Sequence, residues 1–201
     1  MRQKTGRPQG QWFTGSDGHT WWFDSGSLAI DFAYTGGFGK KPEWEQLHRP
    51  DDLAAWLTGR FAEVDGTVAA RDLVDAKSLR DAIARSVVAA SRDAGPAAED
   101  VDVINLFAAT PDIPPSLGGG TRQAGRSRAR VGQALSEMAR EAVSLFAPDE
   151  RDRIRECSAD DCSIVFYDES RSNIRRWCYM HRCGNRAKLR KHRTKEKVAT
   201  S

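Results

Sequence analysis

Residues 157–183 read CSADDCSIVFYDESRSNIRRWCYMHRC, and they hold all four cysteines of the 201-residue chain: Cys157, Cys162, Cys178 and Cys183. The spacing is two Cys-x4-Cys pairs separated by fifteen residues. Each short pair can turn two sulfurs toward one point, and the spacer lets the second pair close a tetrahedron, the pattern of a four-thiolate zinc site. Other chemistries also cluster cysteines. Two disulfides need an oxidising compartment, and the opening MRQKTGRPQGQ has no apolar stretch behind its basic residues to act as a secretory signal. Iron–sulfur clusters usually take different spacings, and a redox thiol pair is the remaining alternative. The spacing favours one structural Zn2+. Four thiolates leave no open position for water or substrate, so such a metal holds a fold instead of catalysing a reaction. In so short a segment it supplies stability that a small core cannot. His181 and His192, both nearby, read as surface donors.

Around the cysteines, Arg153-Ile154-Arg155-Glu156 leads into the first pair. Ser163 to Asp168 is a β-rich run, and Asp168 to Asn173 is turn chemistry before Ile174-Arg175-Arg176-Trp177, which predicts a hairpin between the two runs. From Met180 to Lys197 the chain lacks proline and is rich in Lys, Arg, Ala and Leu, which predicts a helix. A knuckle, a hairpin and a helix that carries the second cysteine pair at its start make a treble clef. On that helix Arg182, Arg186, Arg190, Arg193 and Lys197 recur at intervals of 4, 4, 3 and 4, which predicts one cationic stripe.

The charge distribution agrees. The formal net charge of +3 conceals 17 basic against 21 acidic residues up to position 150, and 14 against 7 beyond it. Halves of opposite sign suggest an acidic folded part joined to a part that binds a polyanion. Arg171, Arg175, Arg176, Arg182, Arg186, Lys188, Arg190, Arg193 and Lys197 are the candidate phosphate contacts. Asn185 is a candidate for a base edge or for capping the helix start. No apolar run approaches the roughly 18 residues of a membrane helix, and at 39% hydrophobic with mean hydropathy −0.60 the composition is that of a globular protein with no membrane partner.

Upstream, residues 1–18 are polar and Gly-rich and read as a flexible lead. His19 to Phe23 suggests a strand. Ala76, Leu79, Ile83, Val87 and Ala90 fall at helical intervals, and Gly95-Pro96 ends the pattern; a second helix is expected over about 97–109. Pro111 to Arg130 reads as a loop, and Val131, Leu135, Met138, Ala142 and Leu145 give another helical stripe. Helices outnumber strands, so the class is α+β. Gly36-Gly37-Phe38-Gly39 and Gly118-Gly119-Gly120 lack the Gly-Lys-Ser/Thr ending of a phosphate loop. Asp51-Asp52 reads as a helix cap and first turn, so no enzyme is expected. Five of the six tryptophans lie in the first 56 residues. They read as core, or as an aromatic ligand pocket formed by Trp22, Tyr34, Trp44 and Trp56 with Asp31.

Trp177-Cys178-Tyr179-Met180-His181-Arg182-Cys183-Gly184-Asn185-Arg186-Ala187-Lys188 resembles the signature of the CGNR zinc-finger family, named for its Cys-Gly-Asn-Arg motif. Cys157, Cys162, Phe166 to Arg171 and Arg175 to Trp177 are similar to the same pattern. Leu28 to Thr35 resembles the opening motif of the ABATE domain, in which an Asn usually precedes the Thr; Tyr34 stands there in this chain. Asp51 to Leu57 resembles the helix that follows. The likeness runs from about His19 to His192. It implies a mainly helical ABATE-like α/β domain at 19–148 and a treble-clef zinc finger that binds DNA at 149–201. It also implies the role of a bacterial, often stress-linked, transcription regulator. The expected partners are double-stranded DNA and a small-molecule effector of a regulatory or ligand-sensing N-terminal domain. A homodimer or additional contacts are expected because one finger offers little readout surface, and the expected location is cytoplasmic, on the nucleoid. The other classes are a zinc-stabilised RNA- or protein-binding adaptor and a thiol redox sensor. As separate modules, the two regions would fold independently, and loss of a cysteine would leave the N-terminal domain intact.

Overall fold

The computed structural model describes residues 8–14, 18–39, 41–61, 64, 66–115 and 128–190. In chain order these form β1 (Gln11–Thr14), β2 (Thr20–Phe23), α1 (Leu28–Ala33), α2 (Pro50–Thr58), α3 (Ala70–Ala90), α4 (Ala98–Ala108), α5 (Val131–Leu145), α6 (Pro148–Arg151), β3 (Ile154–Glu156) and β4 (Val165–Tyr167). A π-turn at Met180–Gly184 then runs into α-helix over 185–190. The class is α+β, helices with two small antiparallel sheets.

The apolar stripes end up where their periods put them. Ala76, Leu79, Ile83, Val87 and Ala90 of α3 are buried, as are Val131, Leu135, Met138, Ala142 and Leu145 of α5. These faces close on α1, whose six residues are all buried, and α4 packs across α3 and α5. Local chemistry fixes the ends. The Asp52 carboxylate accepts the amides of His48 and Arg49 at 2.8 and 2.7 Å ahead of Pro50, and Asp72 accepts that of Ala69. The Ser27 hydroxyl accepts from Ile30 N–H at the start of α1 and donates to Glu141 of α5, which ties the two helices together.

Two expectations are corrected. Gln11–Thr14, part of the stretch read as a flexible lead, pairs with β2, Trp12 opposite Trp22 and Phe13 opposite Trp21. Alternation explains it: Phe13 and Trp21 point into the core while Trp12 and Trp22 face outward. The second correction concerns β4, which pairs with β3, Arg155 opposite Phe166, and not with 174–177. The first cysteine knuckle is therefore the connection of that hairpin, with Cys157 N–H bonded to Ile164 O and Cys162 N–H to Ala159 O. The 174–177 segment is held elsewhere. Asp168 accepts the Arg175 amide, and the Arg176 carbonyl accepts from Ser158.

The two halves also share one core, against the expectation of separate modules. Val165, Phe166 and Tyr167 of β4 are buried in the cluster that holds Phe13, Phe23 and Tyr34. The edge of β4 is closed by the N-terminal region. The Tyr34 hydroxyl donates to Val165 O at 2.9 Å and accepts from Val165 N–H at 2.8 Å, and Tyr167 N–H donates to Ser25 O at 2.7 Å. Gly26, at φ 79°, lets the chain pass directly over the Tyr167 carbonyl, where a Cβ would collide.

Candidate metal centre and nucleic-acid face

The four cysteine sulfurs lie within 4.8 Å of one another. Cys162 to Cys178 is 3.7 Å and Cys178 to Cys183 is 3.6 Å. A tetrahedron with metal–sulfur bonds of about 2.3 Å has edges of about 3.8 Å, so the cage already has the dimensions of a four-thiolate zinc site. The second pair owes its geometry to the π-turn, which closes i to i+5 and so brings Cys178 and Cys183 to one side. A Cβ at Gly184 would push the flexible Met180 side chain aside and press on the Trp177 ring at 3.1 Å.

The electrostatics of the cage call for a cation. Thiol hydrogen bonds from Cys162 and Cys178 hold the Cys157 thiol far below its ordinary value, at about 2. The hydrogen bonds to Cys157 push the Cys162 thiol up to about 12 and, with a further one to Cys162, the Cys178 thiol higher still. Four sulfurs this close cannot all ionise unless a positive charge sits among them. Two donors already face them: the Cys178 amide toward Cys157 Sγ and the Arg186 guanidinium toward Cys183 Sγ, both at 3.5 Å. Cys183 is the first cause of the raised Arg186 pKa.

Residues 26–149, more than half of the chain, match the sequence profile described as "Putative stress-induced transcription regulator", ABATE. The chain belongs to the ABATE family. Residues 153–196 match the CGNR zinc finger, which covers all four cysteines. No curated protein matches the chain at a significant level. The junction of the ABATE region and the CGNR finger falls between α6 and β3, and the Tyr167 hydroxyl on the finger bonds Glu150 across it.

The cations predicted for DNA are placed unequally. Arg171, Arg176 and Lys188 are exposed, and so is Asn185, which opens the α-helical segment after the π-turn. Arg175 is turned inward. Its guanidinium donates to the carbonyls of Trp177, Asp24 and Cys178 and covers the Phe166 ring at 4.3 Å, so it joins the finger to the N-terminal part of the chain. Arg182 lies 4.0 Å over the Trp21 ring of β2. Arg186 pairs with Asp161 at 2.9 Å, and Arg190 reaches Asp160 and Asp161 at 3.8 and 3.7 Å. The expected stripe is thus broken at its start, because the π-turn takes Arg182 out of the α-helical row. Arg193 and Lys197 lie outside the described residues, as does His192.

The proposed aromatic pocket does not assemble. Trp56 packs on Phe32 and under the Arg60 guanidinium. Trp22 stands on the outer face of the hairpin, edge-on to Trp12 at 5.6 Å. Asp31 is buried and accepts the backbone amides of Gly10 and Ser25, and burial raises its pKa to about 6. Tyr34 and Trp44 alone among the five line a common crevice, of about 30 Å³, room for one water. Of the five early tryptophans, Trp21 and Trp56 join the core, Trp44 packs partly against it, and Trp12 and Trp22 stay exposed. Sequence reasoning missed Asp160 and Asp161, which read as an ordinary knuckle but meet the helix cations. It also missed the β4-edge contacts of Ser25 and Tyr34 and the Asp24 carbonyl that takes Arg175, which only the tertiary fold creates.

Proposed function

We propose that this ABATE-family protein is a zinc-dependent transcription regulator whose CGNR finger binds double-stranded DNA and whose ABATE region regulates that binding. The carrying observation is the preformed sulfur cage at the root of a short helix, beside the exposed cations Arg171, Arg176 and Lys188. Cys157, Cys162, Cys178 and Cys183 would hold one Zn2+, which supplies the charge the thiolates need and fixes the helix against the knuckle. Regulation by the N-terminal region is favoured by the shared core, since a shift in the ABATE aromatics reaches β4 directly through Tyr34.

Arg171, Arg176, Lys188 and half-exposed Arg190 would neutralise three to four phosphates. Log K should then fall against log salt with a slope of about −3 to −4. Anisotropy of a labelled duplex, titrated with zinc-loaded protein between low and physiological salt, measures this slope. A slope near zero, or equal affinity for a duplex and an uncharged polymer control, overturns the reading. Competition between duplex DNA and structured RNA of equal charge separates it from an RNA-binding adaptor.

A further inference from the structure

The Gly36-Gly37-Phe38-Gly39 segment is not a phosphate loop, and the proposed function leaves it without a role. It forms one wall of an open groove of about 970 Å³ whose other wall is α3. The floor is apolar, built from Phe38, Pro42, Ala84, Val88 and Ala89. Three guanidiniums reach the groove. Arg80 is nearly buried and held by Glu45 at 2.8 Å and Asp81 at 2.9 Å, and Arg85 is held by Asp100. Arg92, at the end of α3, is exposed and has no acidic partner among the described residues.

Phe38 adopts φ 56° and ψ 30°, a left-handed conformation that a bulky residue takes only when its surroundings impose it. Its ring stands 4.3 Å from the Tyr34 ring and separates the groove from the small crevice lined by Tyr34, Trp44, Ile164 and Val165. One side of Phe38 thus faces the open groove, and the other faces the side chain that closes β4.

We infer that this groove is a binding site for a small aromatic carboxylate. Its ring lies on the apolar strip between Phe38 and Val88, and its carboxylate pairs with Arg92. The volume lies in the range of small-molecule sites, about 300–1,000 Å³, and an apolar lining with a few placed polar groups is the usual form of such a site. Arg80 is shared by Glu45 and Asp81 and Arg85 is held by Asp100, so the anion is taken by Arg92, the cation of the groove with no acidic partner among the described residues. This deepens the regulatory role proposed for the ABATE region, and it is tested without nucleic acid, so its failure is distinguishable from failure of duplex binding.

The probe is 2-naphthoate, titrated calorimetrically into the full-length zinc-loaded protein, with its neutral isostere 2-naphthamide in parallel. One saturable site is expected for naphthoate. Loss of a charge-assisted pair should weaken binding about tenfold or more, both for naphthamide and for Arg92→Gln. Arg92 is exposed, so the variant should fold, and Arg49→Gln, an exposed arginine outside the groove, should bind like wild type. Non-saturable heats, equal affinity for the acid and the amide, or equal affinity of wild type and Arg92→Gln would each overturn the site.

Discussion

Replacing Tyr34 by Phe removes one oxygen and leaves the ring in its aromatic cluster. That oxygen is the partner of both the N–H and the C=O of Val165, at 2.8 and 2.9 Å, and Tyr34 is 3% exposed, so water cannot take its place. A buried donor or acceptor left unpaired costs about 1–3 kcal/mol, and some relaxation of β4 will recover part of it, so we expect a loss of about 2–4 kcal/mol. For a chain of this length 1 kcal/mol corresponds to about 2–4 °C in Tm, which places the shift at about 4–16 °C. The assay is thermal unfolding of zinc-loaded wild type and Tyr34→Phe, followed both by far-UV circular dichroism, which reports mainly the N-terminal helices, and by hydrogen exchange at Val165 and Tyr167. Both signals should move together. A Tm within about 1 °C of wild type, or faster exchange in β4 with the helical melt unchanged, would refute the claim that the two regions share one cooperative core.

Asp31 makes stability depend on pH. Burial raises its folded-state pKa from 3.8 to about 6, so between those values the folded chain keeps a proton that the unfolded chain has released. Its contribution is complete below about pH 4 and is lost as the pH rises through about 6. Urea titrations should show the difference between wild type and Asp31→Asn moving by up to about 3 kcal/mol in favour of wild type from pH 7 to pH 4; a constant difference would contradict it. Cys178→Ser should drop bound zinc below one per chain by mass spectrometry and should also lower the melting of the N-terminal helices, because β4 forms part of their core. Full zinc content with wild-type duplex affinity would contradict the four-thiolate cage. Asp160→Asn with Asp161→Asn removes the carboxylates that face Arg186 and Arg190, and should tighten duplex binding and steepen the salt slope by about 1; weaker binding would mean that the acids position those arginines for their partner.

What was legible in the sequence was whatever depends on short-range spacing. Helical intervals fixed the buried faces of α3 and α5, and the two Cys-x4-Cys pairs foretold the sulfur cage. What was hidden depends on long-range partners. The strand that pairs with β4 could not be chosen from propensity, since 154–156 and 174–177 are both short runs that mix apolar and charged residues. The five helix cations look equivalent in sequence, and only the fold assigns Arg182 to Trp21 and Arg186 to Asp161. Tyr34 stands where the resemblance to the ABATE opening motif implies an Asn, and spacing alone gives its hydroxyl no partner. Its hydroxyl in fact keeps a polar function at the end of a longer side chain, as donor and acceptor to a single residue 131 positions away.

With a metal in the sulfur cage, closing the edge of β4 with the chain's own N-terminal region would also link turnover to metal supply. A finger that frays when its ion is lost would withdraw Val165 and Tyr167 from Tyr34 and Ser25, expose the aromatic cluster and offer the whole polypeptide to proteolysis. Cells short of zinc would then hold fewer copies of this protein, not the same number with an idle finger, and abundance itself would follow the ion.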